Sequence, residues 1–409
     1  MESVICFNLD PLDVSDPELY ETQRYAPLFA RLRAEDPIHF CRCPERGDHW
    51  SITRYDDIVT VERNPEVFSN AYELGGIRLQ DQAIGSVIEG STATFISMDP
   101  PDHTRYREMV RPAFTPSHLR TLEAEIRARV SEILDSLPIG EAFDWVEHVA
   151  NELPIQMLAT LFDMPQADRH RLLRWSNVMT GFDDPAVVES LEQARAEMRE
   201  FSEYCLSLWN ERAALPPRPD LISMLVYGAE SRTLTPIDYV STMALLTIGG
   251  NDTTRNSITG GLYAFAQHPE QLARLRADRS LIKPAVNEIL RWVTPVIHIR
   301  RTAKADTLLG GKQIRQGDRV VLWYVSANRD ETVFEAPETF RIDRSGPRHL
   351  SFGTGIHFCV GARLADMQLA ILWEELLERF PIIEVLGPPV RLRSNFIHGL
   401  KTLPVRVRK

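Results

Sequence analysis

Residues 352–361 read Phe-Gly-Thr-Gly-Ile-His-Phe-Cys-Val-Gly, a glycine-rich loop with one cysteine, Cys359, near its end. Apolar residues recur at helical spacing from Leu364 to Phe380, and Pro381 ends that pattern. Cys359 is therefore predicted to lie where a loop enters a long helix. Because closely spaced glycines let the backbone approach a flat, bulky group, this stretch predicts the site of a large bound ligand.

Cys359 at the start of a helix is a candidate metal ligand. The free N–H groups of a first helical turn and the positive end of the helix dipole stabilise a thiolate at that position. A single cysteine is more often a small buried hydrophobic residue, so the thiol alone does not decide between packing and ligation. The spacing around Cys359 favours ligation over packing. It is Phe, two residues, Gly, three residues, Cys, one residue, Gly.

That spacing resembles the haem-binding loop of the cytochrome P450 family, whose iron carries an axial cysteine thiolate. Three further motifs lie in the order and at the separations typical of that family, so the resemblance covers essentially the whole chain. It implies the cytochrome P450 fold, mainly α with small β-sheets, as a single domain over residues 1–409, with haem b bound through Cys359. It also assigns Phe352, Gly353 and Gly361 to the haem-binding loop.

The first further motif is Asp99-Pro100-Pro101-Asp102-His103-Thr104-Arg105-Tyr106-Arg107, in which a proline turn opens a helix. His103 and Arg107 are four residues apart on one helix face, where they can bind two neighbouring carboxylates or pair with acids on a solvated face. The resemblance implies that they hold the haem propionates.

Two more cations are candidates for the propionates. His357 precedes Cys359 by two residues, and the resemblance assigns a similar role to Arg301. The neighbouring Arg300 leaves the second assignment ambiguous by one position.

The second motif, Gly249-Gly250-Asn251-Asp252-Thr253-Thr254, lies in a stretch from Thr242 to Phe265 that is apolar on most sides. Such a pattern predicts a buried helix, in which each glycine costs about 1 kcal/mol relative to alanine. Phosphate-binding loops also combine glycine with threonine, but here no Lys precedes the Thr and no strand precedes the glycines. The motif resembles the oxygen-binding kink of the family's long central helix. That resemblance implies that Asp252 and Thr253 relay protons, while Thr254 supports the helix.

The third motif is Glu288-Ile289-Leu290-Arg291, an acid and a base three residues apart. Exposed helices often carry such pairs, each worth about 0.2 to 0.5 kcal/mol. Its position about seventy residues before Cys359 resembles the Glu-x-x-Arg pair of the same family. The resemblance assigns Glu288, Arg291 and Arg344 to a structural triad that locks the loop on the haem side.

Periodicity predicts further elements of the fold. Thr115-Pro116, followed by apolar residues at helical spacing as far as Leu134, predicts a long amphipathic helix. Strand patterns beside glycine turns predict two short hairpins: 38–40 with 50–52, and 308–309 with 320–323.

Composition excludes several classes of protein. The 409 residues include 46 Lys and Arg against 57 Asp and Glu, a formal charge of −11, which disfavours nucleic acid as a partner. The apolar run Met243 to Ile248 is far shorter than the roughly 18 residues of a membrane-spanning helix. Glu2, Asp10 and Asp13 are not typical of a signal peptide. We expect a cytoplasmic protein without a membrane anchor.

The other four cysteines, Cys6, Cys41, Cys43 and Cys205, show no ligand pattern. Cys41 and Cys43 are one residue apart, without a second pair that would complete a zinc site. We therefore expect free thiols. Histidines such as His49 have no partner pattern either and are predicted to be surface or satisfied core residues.

Asp252 and Thr253 help to distinguish an enzyme from a haem-binding protein without turnover. A thiolate ligand favours O–O cleavage, whereas an oxygen or electron carrier needs no acid and alcohol to relay protons. The pair therefore favours a monooxygenase, which activates dioxygen and inserts one oxygen atom into a C–H bond, over a haem-binding sensor or carrier. No nucleotide or flavin fingerprint is present, so the electrons are expected from a separate two-iron ferredoxin and its ferredoxin reductase.

Residues 249–261, 13–40 and 394–396 look like those of the soluble bacterial alkane and fatty-acid terminal hydroxylases. That subgroup oxidises medium-chain hydrocarbons or acids at the end methyl. This chain has Phe358 and Ala362 where those relatives often carry Arg and Asn. Hydroxylases of monoterpenes and related small hydrocarbons are the alternative.

The candidate pocket for a small hydrophobic substrate consists of small or apolar residues near these motifs. They are Phe182 or Met179, Leu246, Gly249, Val296 and Ile297. The segment from Tyr72 to Gly90, rich in glycine and of mixed polarity, is predicted to be a mobile lid over the substrate entrance.

Overall fold

The computed structural model describes residues 10–80, 88, 91–181 and 186–409. α-Helices contain nearly half of the described residues, and the strands form four small sheets. The described part is therefore mainly α with small β-sheets, as the sequence predicts. Each of its helices is too short or too polar to cross a membrane.

The helices vary widely in length. In chain order they begin with α1 (Pro17–Glu21), α2 (Tyr25–Glu35), α3 (Tyr55–Glu62), α4 (Asp102–Val110), α5 (Pro116–Asp135), α6 (Glu152–Phe162) and α7 (Arg169–Thr180). They continue with α8 (Leu191–Ala213), α9 (Leu221–Tyr227), α10 (Pro236–Gln267), α11 (Pro269–Ala277), α12 (Ile282–Val293), α13 (Tyr324–Ala327) and α14 (Ala362–Arg379). The long helix predicted after Thr115-Pro116 is α5, and the one predicted after Cys359 is α14. Both predictions are confirmed.

The strands are short. They are β1 (Ile38–Cys41), β2 (His49–Ile52), β3 (Phe68–Ser69), β4 (Phe143–Asp144), β5 (His298–Ala303), β6 (Thr307–Leu309), β7 (Lys312–Ile314), β8 (Arg319–Trp323), β9 (Ile382–Val385), β10 (Val390–Arg391), β11 (Leu400–Thr402) and β12 (Pro404–Arg408). The largest sheet has the order β1-β2-β8-β5-β3, and the others are β4-β12-β9, β10-β11 and β6-β7.

The structure confirms one predicted hairpin and corrects the other. Strands β1 and β2 pair antiparallel, with Phe40 opposite Trp50. The second prediction is wrong, because β6 pairs with β7 while β8 pairs with β2 and β5. Gly310 and Gly311, with φ of 52° and 80°, form a two-residue turn that leads directly into β7.

Helix α10 runs between the two main hydrophobic cores. The Thr235 hydroxyl accepts a hydrogen bond from the backbone N–H of Asp238, whose carboxylate accepts one from the N–H of Thr235, so the helix begins with a capping box. Its second half packs with α5, α12 and α14, and its first half with α6 to α9. Burial on most sides is what its apolar pattern predicts.

Candidate active site

A large cavity brings the sequence motifs together. It lies between α10 and the Cys359 loop and has a volume of about 1410 Å³, including its opening to solvent. Most of the predicted site residues line it: Arg107, Leu246, Gly249, Thr253, Val296, Arg301, Phe352, Gly353, His357, Cys359 and Gly361.

The backbone of the Cys359 loop holds its shape. The N–H of Cys359 donates to the carbonyl oxygen of Phe352 at 2.9 Å. Gly353 and Gly355 have φ of 64° and 65°, a left-handed conformation that glycine adopts without strain. A Cβ on Gly355 would also collide with the carbonyl oxygen of Glu62. The close approach of the loop to α3 therefore requires glycine.

The Cys359 thiol faces the cavity just before α14. Burial raises its pKa, whereas the backbone N–H groups of Gly361 and Ala362 and the Arg107 guanidinium lower it. These are the groups expected to stabilise a thiolate at the start of a helix. Among the described cysteines, Cys359 alone lines the cavity, so it is the thiol placed to ligate iron.

His103 and His357 meet edge to face, with ring centroids 4.4 Å apart. Their ring nitrogens are buried and have no hydrogen-bond partner among the described residues. Burial, followed by the nearby arginines, lowers the pKa of His103 to about 4 and that of His357 to about 2. Arg107 is a further donor, and one of its guanidinium nitrogens donates to the carbonyl oxygen of Phe358 at 2.5 Å. Buried donors without partners beside Arg107 and Arg301 fit the carboxylates of a haem.

The side chains of Arg300 and Arg301 point in different directions. Alternate side chains of a strand face opposite sides, and on β5 it is Ile299 and Arg301 that line the cavity. Arg300 faces away and donates to the carbonyl oxygen of Leu74 at 2.8 Å. Arg301 is therefore the residue that can reach a cofactor.

Glu62 on α3 is a carboxylate in the cavity wall that no sequence motif marks. Its Oε1 lies 3.0 Å from an Arg301 nitrogen and accepts from the Tyr324 hydroxyl at 2.5 Å. Its Oε2 accepts from the N–H of Thr354 at 2.9 Å. Burial raises the pKa of Glu62, while Arg301 lowers it. Glu62 thereby ties the Cys359 loop to β5.

The predicted triad of Glu288, Arg291 and Arg344 is assembled. Arg291 donates to the two Glu288 oxygens at 2.7 and 2.8 Å, and Arg344 donates to Glu288 at 3.0 Å. All three side chains are at most 8% exposed. Arg291 also donates to the carbonyl oxygens of Asn328 and Pro337. The buried charges are thus both paired and hydrogen-bonded.

Asn328 connects the triad to the Cys359 loop. Its Oδ1 accepts from the N–H of Leu350 at 2.7 Å, and its Nδ2 donates to the Ser351 hydroxyl at 2.9 Å. Ser351 in turn donates to the carbonyl oxygen of Leu290 on α12. The start of the loop is therefore fixed against the helix that carries Glu288.

The neighbours Asp252 and Thr253 face different ways. Thr253 lines the cavity, and its hydroxyl donates to the carbonyl oxygen of Gly249 at 2.9 Å. Asp252 points away from the cavity on another face of α10, where it is fully buried and lies 2.6 Å from an Arg255 nitrogen. Burial raises the pKa of Asp252, while Arg255 lowers it. Helix α10 continues unbroken through the motif, so the expected kink does not interrupt it.

The two glycines of α10 serve different purposes. A Cβ on Gly250 would lie 2.8 Å from a methyl of Leu158, so this glycine lets α6 pack closely against α10. A Cβ on Gly249 would meet nothing within 4 Å. Gly249 therefore borders open space beside Thr253.

Much of the remaining cavity wall is apolar. It includes several residues that the sequence did not predict: Phe95, Ile96, Met157, Leu158, Leu161, Leu245 and Ile299. They look like core residues in the sequence, because nothing separates an apolar cavity wall from an apolar core. The near-continuous apolar character of α6 is the one feature that could have pointed to this helix.

Three predicted pocket residues lie elsewhere or are not described. Ile297 packs in the core with Phe29 and Trp323 rather than lining the cavity, because neighbouring extended residues point to opposite sides. Met179 belongs to the core around α7 and α8. Phe182 lies outside the described residues, as does most of the predicted lid beyond position 80.

Comparison with known proteins gives consistent matches. The family described as Cytochrome P450 matches residues 117–390. Linalool 8-monooxygenase of Pseudomonas putida is 39% identical over 96% of this chain and 98% of its own. Methyl-branched lipid omega-hydroxylase of Mycobacterium tuberculosis is 37% identical over 92% of this chain and 90% of its own. Among solved structures, CYP153D17 from Sphingomonas sp. is 42% identical with a TM-score of 0.91, covering 98% of this chain and 100% of that one.

Proposed function

This chain belongs to the cytochrome P450 family, and we propose that it is a monooxygenase that hydroxylates the end methyl of a medium-chain alkane or fatty acid. The observation that carries the proposal is the cavity in which Cys359, Thr253 and an apolar wall meet. A thiolate ligand, a hydroxyl for proton delivery and an apolar surface are what oxygen insertion into an unactivated C–H bond requires.

The cofactor of the family is haem b, and in this chain the Cys359 thiolate would hold its iron. When bound, the haem supplies the reduction of dioxygen, which electron donation from the thiolate promotes. Backbone N–H groups at the start of α14 favour the ionised thiol. Arg107 and Arg301, with His103 and His357, offer donors to the propionates.

We assign proton delivery to Thr253 and Asp252. The Thr253 oxygen lies at the cavity surface and, while donating to Gly249, can still accept from a water in the cavity. Asp252 lies behind it, and its raised pKa lets it hold and release a proton. A rotation of Asp252 away from Arg255 would carry that proton toward Thr253.

The apolar wall supports a hydrophobic substrate. Leu158, Leu161 and Leu246 all line the cavity. Each methylene that leaves water there contributes about 0.8 kcal/mol to binding, so a chain that fills the wall binds more tightly than a shorter one. The open space beside Gly249 leaves room for an end methyl next to Thr253.

The cations of the wall constrain where an acid group can lie. Among the lining residues that the structure describes, Arg107, Arg301 and His357 carry or can carry positive charge, and all three lie beside the Cys359 loop, where they would hold the propionates. The carboxylate of a fatty acid would therefore lie toward the opening, with its end methyl inward. This orientation supports terminal oxidation.

Hydroxylation of a monoterpene or related small hydrocarbon is the second candidate. The 39% identity to a linalool 8-monooxygenase favours it. The same apolar wall accepts a compact, branched molecule as well as a chain.

We propose that the electrons come from a two-iron ferredoxin and its reductase. Arg348 and Arg363 are exposed near the Cys359 loop, and Arg348 lies over the Phe358 ring at 4.5 Å. Exposed cations at this position would guide a small acidic electron carrier to the side nearest the thiolate.

Substrate titration followed by turnover tests these proposals. Ferric protein is titrated with dodecanoic acid, octane and a monoterpene alcohol while conversion of the iron to high spin is recorded, and each compound is then incubated with ferredoxin, reductase and NAD(P)H. We expect an end-hydroxylated product from the acid or the alkane. A hydroxylated monoterpene alone would establish the second candidate, and binding without product from any compound would indicate a sensor or carrier.

A further inference from the structure

A second group of ligating side chains lies at β1 and β2, outside the haem cavity. Asp13, Cys41 and His49 place a carboxylate oxygen, a sulfur and a ring nitrogen within 4.8 Å of one another. Cys41 and His49 are directly opposite each other in the antiparallel register of the two strands. Asp13 comes from the segment that precedes α1. Two distant parts of the chain therefore converge on one point.

A second thiol, that of Cys43, lies near this group without being part of it. Both Cys41 and Cys43 interact electrostatically with the Asp13 carboxylate. The Cys43 sulfur is also 3.6 Å from the Ser15 hydroxyl, and both cysteines are at most 2% exposed. The sequence shows no partners for these thiols, but the fold supplies an acid and an imidazole.

His49 has a buried ring nitrogen without a hydrogen-bond partner among the described residues. This nitrogen is Nε2, and the side chain is 1% exposed. Its Nδ1 lies 3.0 Å from the carbonyl oxygen of Gly47, which makes Nδ1 the protonated nitrogen and leaves a lone pair on Nε2. Metal-ligating histidines are held in the same way, by a second bond from the opposite nitrogen. A buried polar atom left unpaired is destabilising, so a ligand bound to Nε2 would stabilise the fold.

We propose that Asp13, Cys41 and His49 form a binding site for a divalent metal ion of the zinc class. Sulfur, imidazole and carboxylate donors together suit Zn²⁺, and three protein ligands leave a fourth tetrahedral position for which the neighbouring Cys43 thiol is a candidate. Bond lengths of about 2.0 to 2.3 Å place tetrahedral ligand atoms about 3.5 Å apart, so the present group needs to contract by only about 1 Å. The ion would join the segment before α1 to the hairpin of β1 and β2.

Zinc binding by the haem-loaded protein tests this site. The protein is treated with a chelator and dialysed against Zn²⁺, and the zinc-to-chain ratio is measured by mass spectrometry. We expect one tightly held ion per chain, with at least tenfold weaker binding in Cys41→Ser and His49→Gln. Cys205→Ser, which removes a buried thiol in the helical core, and Cys6→Ser, outside the described residues, are expected to bind as the parent does. Equal zinc retention by the parent and His49→Gln would overturn the proposal.

Cadmium NMR of the unsubstituted protein gives an answer that does not depend on how the variants fold. Haem-loaded protein with one equivalent of ¹¹³Cd²⁺ is expected to show one resonance strongly shifted downfield, as thiolate ligation produces, and to lose it when Zn²⁺ is added. A resonance in the range of oxygen ligands alone, or no bound cadmium, would contradict a site built from these thiols.

Discussion

The two sides of the cavity are built from different kinds of residue. The polar side, at the Cys359 loop, rests on buried charges such as Glu288 with its two arginines, whereas the apolar side is the part of the wall that contains residues such as Leu158 and Leu246. Hydrogen bonds and ion pairs are directional, so each polar residue there requires particular partners. Apolar contact is not directional. We infer that the polar side fixes the cofactor and the apolar side selects the substrate, and that substitutions on the two sides have separable effects.

The largest effect is expected from Cys359→Ala. This change removes the thiolate while leaving the rest of the polar side in place, so turnover falls to background and any haem that remains loses its thiolate spectrum. Cys205→Ala, which removes a buried thiol from the helical core, is the matched control and keeps both properties. Measurable product formation by Cys359→Ala would contradict the ligand assignment.

The next largest effect is expected from Glu288→Ala, which destabilises the polar side of the cavity. It leaves the guanidinium groups of Arg291 and Arg344 buried without their partner, which costs about 3 to 5 kcal/mol in the free energy of unfolding. Urea titration and the haem-to-protein ratio measure the loss. Glu378→Gln, an exposed acid on α14, serves as the control. Equal stability of both variants would show that the triad does not hold the loop.

Thr253→Ala tests the point where the two sides meet. Haem binding and substrate affinity are expected to persist, but less of the reductant consumed yields product and more yields peroxide, with coupling reduced about tenfold or more. Thr253→Ser keeps the hydroxyl and is expected to restore coupling. Unchanged product per reductant in Thr253→Ala would remove this residue from proton delivery.

The smallest effect is expected on the apolar side, where two adjacent residues form a matched pair. Val296→Ala removes methyl groups from the cavity wall and is expected to weaken substrate binding about threefold to tenfold without changing haem content. Ile297→Val acts in the neighbouring core, so it is expected to lower stability by about 0.5 to 1.5 kcal/mol and leave substrate affinity unchanged. Spin-state titrations separate the two. Equal losses of substrate affinity in the two variants would show that substrate binding also depends on core residues behind the cavity wall.

The polar side could largely be predicted from the sequence, because its residues are spaced along single loops or helices. Cys359 with its glycines, and Glu288 with Arg291, have their geometry set by local structure alone. Glu62 belongs to the same side but could not be predicted. Its partner Arg301 is remote in the sequence, and the two meet only when α3 packs against β5.

The apolar side could not be predicted in the same way, because the direction of each side chain depends on register and packing. Val296 and Ile297 are equally apolar, yet only Val296 lines the cavity. Arg300 and Arg301 differ for the same reason. Leu158 lines the cavity only because Gly250 allows α6 to approach α10 closely.

The most direct test of this account is the optical spectrum of the purified protein, reduced under carbon monoxide. If the polar side holds haem through the Cys359 thiolate, the Soret band is strongly red-shifted, as in other haem-thiolate proteins. A Soret band without that shift, or no haem absorbance even after haem supplementation, would contradict the central claim.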